Sequence, residues 1–400
     1  MDNSVKNLIS GDRVLWVALA LLSIFSFLPI FSASSNLAYV VGQGTPWSHL
    51  FKHFVVIVFG FALMIAIHKV PYHYFKGISI LALPITFFLL IYTATQGNLI
   101  DGANANRWIK IPIVGLSFQT SNLASIVLLT YVARFISKEN FKLLKFKTSI
   151  LPLWLPVFSA ILLILPANLS SAALLFSMIM ILVYLGGYPL RYLLGIFGTG
   201  LFFTVIFILS AKAYPDILPN RVDTWINRIE NFIFSDGNEG NYQIERAKTA
   251  IATGGLAGVG AGKSVMKNFL PQSSSDFIYA IIVEEFGLIG GTGLILLYLI
   301  VLFRIVVIAS KANTVFGKLL SLGLGLPIIF QAFVNMGVAL QVLPVTGQTL
   351  PLISSGGTAA WMTCIAFGII LSVSATSNEE SSKLGKDNNN NPIAILSETN

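Results

Sequence analysis

The sequence predicts an all-α polytopic membrane protein, with ten transmembrane helices and a large extracytoplasmic loop between the seventh and the eighth. Three observations carry this. Charged residues are 10% of the 400 and hydrophobic residues 55%, whereas soluble chains are about 25% charged. Apolar runs long enough to span a bilayer recur along the chain, and mean hydropathy is +0.79. Lys and Arg crowd alternate connections, from Lys6 and Arg13 through Lys138, Lys142 and Lys145 to Lys311, Lys318 and Lys383. The other connections, the long loop aside, hold only Lys52, Arg107 and Lys110. The positive-inside rule therefore places both termini in the cytoplasm. The net charge of +8 belongs to these membrane flanks, so it does not point to a nucleic-acid partner.

The spans are expected at 14–33, 49–68, 76–95, 118–136, 149–165, 170–187, 191–211, 277–308, 318–338 and 359–377. The first is followed by Ser32-Ala33-Ser34-Ser35, which looks like a signal-peptidase site. The run is long and more spans follow, so it reads as an uncleaved helix. The sixth is short and expected to tilt or break. Residues 1–377 read as one membrane domain, and the Asn-rich stretch 378–400 as a disordered cytoplasmic tail. The outer loop, 212–275, is long enough to cross regardless of its charge. Within it, Val222, Trp225, Ile226, Ile229, Phe232 and Ile233 recur at helical spacing over 221–234, which suits an amphipathic helix on the membrane surface. A second short helix is expected over 242–253, stopping at Gly254-Gly255.

The stretch 270–291 carries the sharpest chemical signal. It places Asp276 at the start of an apolar helix and Glu284 and Glu285 inside it. Ionisable groups at membrane depth cost roughly 2.5–3.5 kcal/mol on insertion scales, so each invites an explanation. On an ideal helix Glu284 lies about 12 Å below Asp276, and Glu285 faces the opposite side. The arrangement is one acid at the mouth and two supporting acids beneath. Asp276 alone also reads as a helix cap, and the two Glu as paired structural groups.

Other motifs carry less. Gly258 to Ser264 imitates a phosphate-binding loop, but Ala257 stands where its first glycine belongs and no strand precedes it. It reads better as a glycine-rich turn whose N–H groups, with Lys263 and Lys267, face an anion. His49 and His53, four apart, lack further ligands, and no metal site is indicated. No cofactor is indicated by the sequence, and a divalent cation, though compatible with it, has no signal of its own. The single cysteine, Cys364, excludes an intrachain disulfide. Arg107, Trp108 and Lys110 form a cationic and aromatic group suited to a phosphate near the headgroups. Gln119 and Ser121 open the next helix with a polar face.

Taken together, Phe31 to Ser34, Arg107 to Ile109, Phe118 to Ser121, Ala250 to Gly258, Leu270 to Ile278, Glu284 to Leu288, Leu343 to Gly347 and Leu350 to Gly357 resemble the SEDS family (FtsW, RodA and SpoVE). The segments run in family order over nearly the whole chain. The pattern around Gly347 to Pro351 is most similar to the cell-division members. The resemblance implies a peptidoglycan glycosyltransferase in the bacterial cytoplasmic membrane, acting at the septum. It would polymerise lipid II beside a class B penicillin-binding protein and other division proteins. It implies Asp276 as the catalytic carboxylate, with Arg107, Trp108, Lys110, Gln119, Ser121, Lys263, Lys267, Ser354, Gly356 and Gly357 binding substrate. An elongation polymerase of the RodA type, a lipid-precursor flippase and a non-catalytic division scaffold are the alternatives. The chain departs from the family where a membrane Glu and Lys are usual and Asn122 and Ser125 stand instead. It departs again at Asn168, at Gln272 to Ser275, and at Ser355 in place of a Tyr.

Overall fold

The computed structural model describes residues 10–39, 44–95, 99–100, 103–104, 108–111, 116–138, 146–213, 228, 232, 239–270 and 272–389. It is a helical bundle: α1 (Arg13–Tyr39), α2 (Pro46–His68), α3 (Phe75–Thr95), α4 (Thr120–Lys138), α5 (Phe146–Ile164), α6 (Leu169–Leu185), α7 (Leu190–Ala213), α8 (Glu239–Gly254), α9 (Ile278–Lys311), α10 (Val315–Ala339) and α11 (Gly357–Asn389). Among the described residues, eight of these are long and apolar enough to cross a membrane. The apolar stretches Leu169–Leu185 and Leu190–Ile206 are shorter and occupy the sixth and seventh places. Large apolar side chains such as Val17, Ile24, Phe51, Leu81, Phe88, Leu201 and Phe203 point outward, as a lipid-facing surface requires. α10 and α11 are the most enclosed, against α9, α4 and α6 on one side and α2 on the other.

Polar side chains fix the helices to one another where hydrocarbon offers no water. Asp12 caps α1 by accepting from the Leu15 N–H at 2.8 Å. It also receives the Arg304 guanidinium of α9, Nε at 3.1 Å from each oxygen and a further close contact from an NH2 group. Ser26 and buried His53 meet at 2.7 Å between α1 and α2. In α5, Pro156 has no N–H for the Pro152 carbonyl, and the backbone widens to a π-turn over Ile150–Trp154. The Tyr131 hydroxyl of α4 donates to that carbonyl at 2.6 Å, so the freed acceptor is satisfied.

Four features differ from the sequence expectation. First, between α3 and α4 lie two short antiparallel ladders, β1 (Leu99–Ile100) with β2 (Ala103–Asn104), and β3 (Trp108–Ile111) with β4 (Leu116–Gln119). The fourth span therefore starts at Thr120, not at 118. Second, α9 is broken. Gly287 has φ 66° and ψ −170°, a conformation open to glycine and strained for other residues, and it separates 278–286 from 288–311. Third, α11 runs to Asn389, past the point where the tail was expected to begin. Fourth, α8 starts three residues earlier than expected and stops at the foreseen Gly254. Of the amphipathic segment 221–234, only Arg228 and Phe232 are described, both helical and half-buried. Val222, Trp225, Ile226, Ile229 and Ile233 lie outside the described residues.

Candidate functional site

Asp276 sits one step before α9 rather than in it. The chain makes a tight turn over 272–277, with Gln272 at φ 60°. The position that caps α9 is Phe277, which offers no side-chain cap. The segment is held by donors from α10 and from the connection between α10 and α11. Ser355 donates to the Ser274 carbonyl through both N–H (2.9 Å) and hydroxyl (3.0 Å). The Ser354 hydroxyl donates to the Ser275 carbonyl at 2.6 Å. The Asn335 amide donates to the Asp276 carbonyl at 2.7 Å. With its backbone fixed, the half-buried Asp276 directs its carboxylate toward Gly347. A Cβ built on Gly347, whose φ is 67°, would stand 3.5 Å from Asp276 Oδ2.

Among the described residues, the cation coupled to this acid is Arg228. Burial pulls the Arg228 guanidinium below its ordinary pKa, and the charge of Asp276 pulls it back up. An Arg remains protonated at neutral pH through shifts of that kind, so Arg228 presents a fixed positive charge to the carboxylate.

The structure gathers several expected site residues around the same end of the bundle. Ser354, Gly356 and Gly357 belong to the segment that holds Asp276. The next residue, Thr358, donates to the Ser117 carbonyl of β4 at 2.7 Å. This brings in Gln119, whose amide donates to the Ser121 hydroxyl at 2.9 Å, and Trp108, its cross-strand partner in the β3–β4 ladder. Arg107 lies outside the described residues. Lys110 is described as backbone of β3 only. Beneath this surface is a cavity of about 90 Å³ lined by Asn122, Ser125, Ser171, Gln331, Gln348, Ser354 and Gly356 among others. Two of the positions where the chain departs from the family, 122 and 125, therefore line this uncharged, largely apolar cavity.

Lys263 and Lys267 belong to a second cluster. The glycine-rich turn folds back over the break in α9. Val259 and Gly260 donate backbone N–H groups to the carbonyls of Glu284 (2.9 Å) and Glu285 (3.0 Å), while Leu288 and Ile289 donate to Gly255 (2.9 Å) and Leu256 (3.2 Å). The anion that the turn faces is the protein's own. Glu284 accepts from the Val265 and Met266 N–H groups at 2.9 and 3.2 Å and from the Ser264 hydroxyl. Glu285 accepts from the Ser264 N–H at 3.3 Å and from the Ser32 hydroxyl of α1. Lys267 Nζ donates to Ser32 at 3.2 Å and to the Gly262 carbonyl at 2.8 Å, and Lys263 is exposed. Both Glu side chains are fully enclosed by protein. Hydrogen bonds from the turn offset the burial of Glu284, while Glu285 Oε2 is buried with no partner among the described residues.

Sequence reasoning missed Arg228, Asn335 and the break at Gly287. Asn335 is the polar member of an otherwise apolar stretch of α10, and that is its only sequence signal. Arg228 lies among the apolar positions of the amphipathic segment, where attention to the apolar face hides it.

Comparison with known proteins places this geometry in context. Residues 12–379 match the family described as cell cycle protein, FtsW/RodA/SpoVE. The probable peptidoglycan glycosyltransferase FtsW of Geobacter metallireducens is 31% identical over 376 residues, covering 93% of this chain and 96% of that relative. Stage V sporulation protein E of Bacillus subtilis is 30% identical over 317 residues, covering 79% and 84%. Among solved structures, a chain from work described as structural coordination of polymerization and crosslinking by a peptidoglycan synthase complex superposes with a TM-score of 0.72 at 24% identity, covering 92% of this chain and 98% of that one. The rod shape determining protein RodA of Thermus thermophilus gives 0.65 at 23%, covering 92% and 97%. These structural likenesses speak to the fold. The match over residues 12–379 and the relative 31% identical over 93% of the chain place it in the FtsW/RodA/SpoVE family of cell cycle proteins.

Proposed function

We propose that this protein is a peptidoglycan glycosyltransferase that polymerises lipid II at the outer face of the bacterial cytoplasmic membrane during division, with Asp276 as general base. The observation that carries the reading is the held carboxylate. Asp276 is half-buried at one end of the bundle, its own carbonyl accepting from Asn335 and the carbonyls of Ser274 and Ser275 from Ser355 and Ser354, and its carboxylate lies beside Gly347. Relatives over nearly the whole chain bear the name peptidoglycan glycosyltransferase FtsW, which supports the same chemistry.

The acceptor sugar hydroxyl loses its proton to Asp276 as its oxygen attacks the anomeric carbon of the donor. The bond from that carbon to the undecaprenyl pyrophosphate breaks, and the pyrophosphate leaves with the electron pair. A single displacement inverts the anomeric centre. Glu284 and Glu285 are occupied by the glycine-rich turn, so they do not serve as a nucleophile that would give retention. Cations must offset the charge of the leaving group. Arg107 and Lys110 fill that role in this reading, whereas Lys263 and Lys267 belong to the separate cluster over the break in α9. Arg228 sits beside the base. Trp108, Gln119, Ser121, Ser354, Gly356 and Gly357 form the sugar- and lipid-facing surface. The membrane domain works as one unit over 1–377, with both termini in the cytoplasm, beside a class B penicillin-binding protein at the septum.

Polymerisation of lipid II by the purified protein, with and without its partner transpeptidase, tests the reading. Glycan strands are expected, and their absence under both conditions contradicts it. Arg107→Lys keeps the charge but loses the fork of donors. The variant is expected to polymerise well below the wild-type rate, and equal rates would reduce Arg107 to an interfacial anchor.

A further inference from the structure

Asn335 lies near the end of α10 and is 1% exposed. Its Nδ2 is 2.7 Å from the Asp276 carbonyl and 2.7 Å from the Gln348 carbonyl. Both partners are acceptors only, so the amide is oriented without ambiguity and both of its N–H bonds are used. Its Oδ1 is buried with no partner among the described residues. An orphaned acceptor of this kind carries a desolvation cost that an apolar side chain of the same size avoids. The residue therefore does something here that a leucine would not.

Asn335 joins two pieces of backbone directly. One is the carbonyl of the proposed base. The other is the turn Gly347–Gln348, against which the base's carboxylate lies. The same turn is anchored from other directions. The Gln348 amide donates to Ser171 of α6 at 3.0 Å, and the Gln331 amide donates to the Thr349 carbonyl at 2.8 Å. One planar, buried amide with two short bonds thus sets the position of Asp276 relative to the wall of its own site.

We propose that Asn335 is the positioning residue for Asp276, fixing the distance between its carboxylate and the sugar hydroxyl that it deprotonates. The inference rests on Asp276 being the base. A misplacement of about 1 Å costs on the order of 10²-fold in rate when the reacting groups must be aligned. Losing the amide should therefore lower turnover and leave substrate binding largely intact.

The test is a double-mutant cycle on the full-length protein with its partner, reading kcat and KM for lipid II. Asn335→Leu is expected to lower kcat by about 10- to 100-fold with KM changed by less than about twofold. In the Asp276→Asn background the same change is expected to cost less than about twofold, because the group that it positions is already lost. Asn335→Ser keeps one donor of shorter reach and is expected to fall between wild type and Asn335→Leu. An unchanged kcat, a rise in KM alone, or an equal loss in both backgrounds overturns the proposal. If Asn335→Leu does not fold, Asn335→Ser carries the test. Failure of both to fold also counts against the proposal, since it assigns the amide to stability alone. The two readings separate cleanly. An Asp276→Asn protein at a near wild-type rate removes the base, whereas one slowed by about 10²-fold or more, with additive Asn335 effects, removes only the positioning role.

Discussion

At the scale of single residues, three carboxylates of one segment have different tasks because their hydrogen-bond partners differ. Glu284 accepts from two backbone N–H groups and a hydroxyl, so it is consumed by structure. Asp276 is held through its backbone, which leaves its side chain beside Gly347. Glu284→Gln would turn one acceptor oxygen into an amine facing donors. It is expected to lower stability by about 1–3 kcal/mol, measured by thermal unfolding in detergent, with a smaller loss of glycan synthesis than any change at Asp276. A variant as stable as wild type would contradict this assignment. Arg228→Gln removes the cation facing Asp276. It is expected to lower polymerisation, read in the same lipid II assay, and a wild-type rate would remove Arg228 from the site. Asp276 was legible in the sequence because a carboxylate in a long apolar run stands out. Arg228 and Asn335 were not, because what distinguishes them is a partner 48 or more positions away, and single-sequence periodicity does not report such contacts.

At the scale of elements, the spans followed from hydropathy because lipid requires long apolar helices with internally satisfied backbones. The break in α9 was hidden for the same reason. Gly287 lies inside a continuous apolar run, and average hydropathy does not register a change of φ. The ladders between α3 and α4 were hidden because each strand is too short for an alternating pattern to show. The break has a clear structural cost if filled. A Cβ at Gly287 would stand 2.2 Å from the Leu256 carbonyl oxygen, and one at Gly258 would stand 2.2 Å from the Glu285 carbonyl oxygen. Gly287→Ala is expected to displace the turn that covers both Glu side chains and to lower thermal stability by about 1–3 kcal/mol. Gly293→Ala, whose Cβ would meet nothing within 4 Å, is the control expected to match wild type.

At the scale of the whole molecule, the start of α1 is tied to α9, 292 positions along the chain. Asp12 caps α1 and holds Arg304 of α9, and the site assembles from α4, α9, α10, the β3–β4 ladder and the start of α11. Asp12→Ala removes a cap and the partner of a half-buried Arg. It is expected to cost about 1–2 kcal/mol, seen as a lower unfolding midpoint with polymerisation per folded molecule unchanged. The central claim is that this assembly exists to hold one carboxylate where an acceptor sugar can give up its proton. Asp276→Asn tests it most directly, because the amide keeps the size and the backbone bonds but cannot take a proton. The measurement is lipid II polymerisation by the purified variant with its partner, alongside thermal unfolding and partner binding. The account predicts wild-type folding and partner binding with glycan synthesis lowered by about 10²–10⁴-fold. Polymerisation at a near wild-type rate would contradict it.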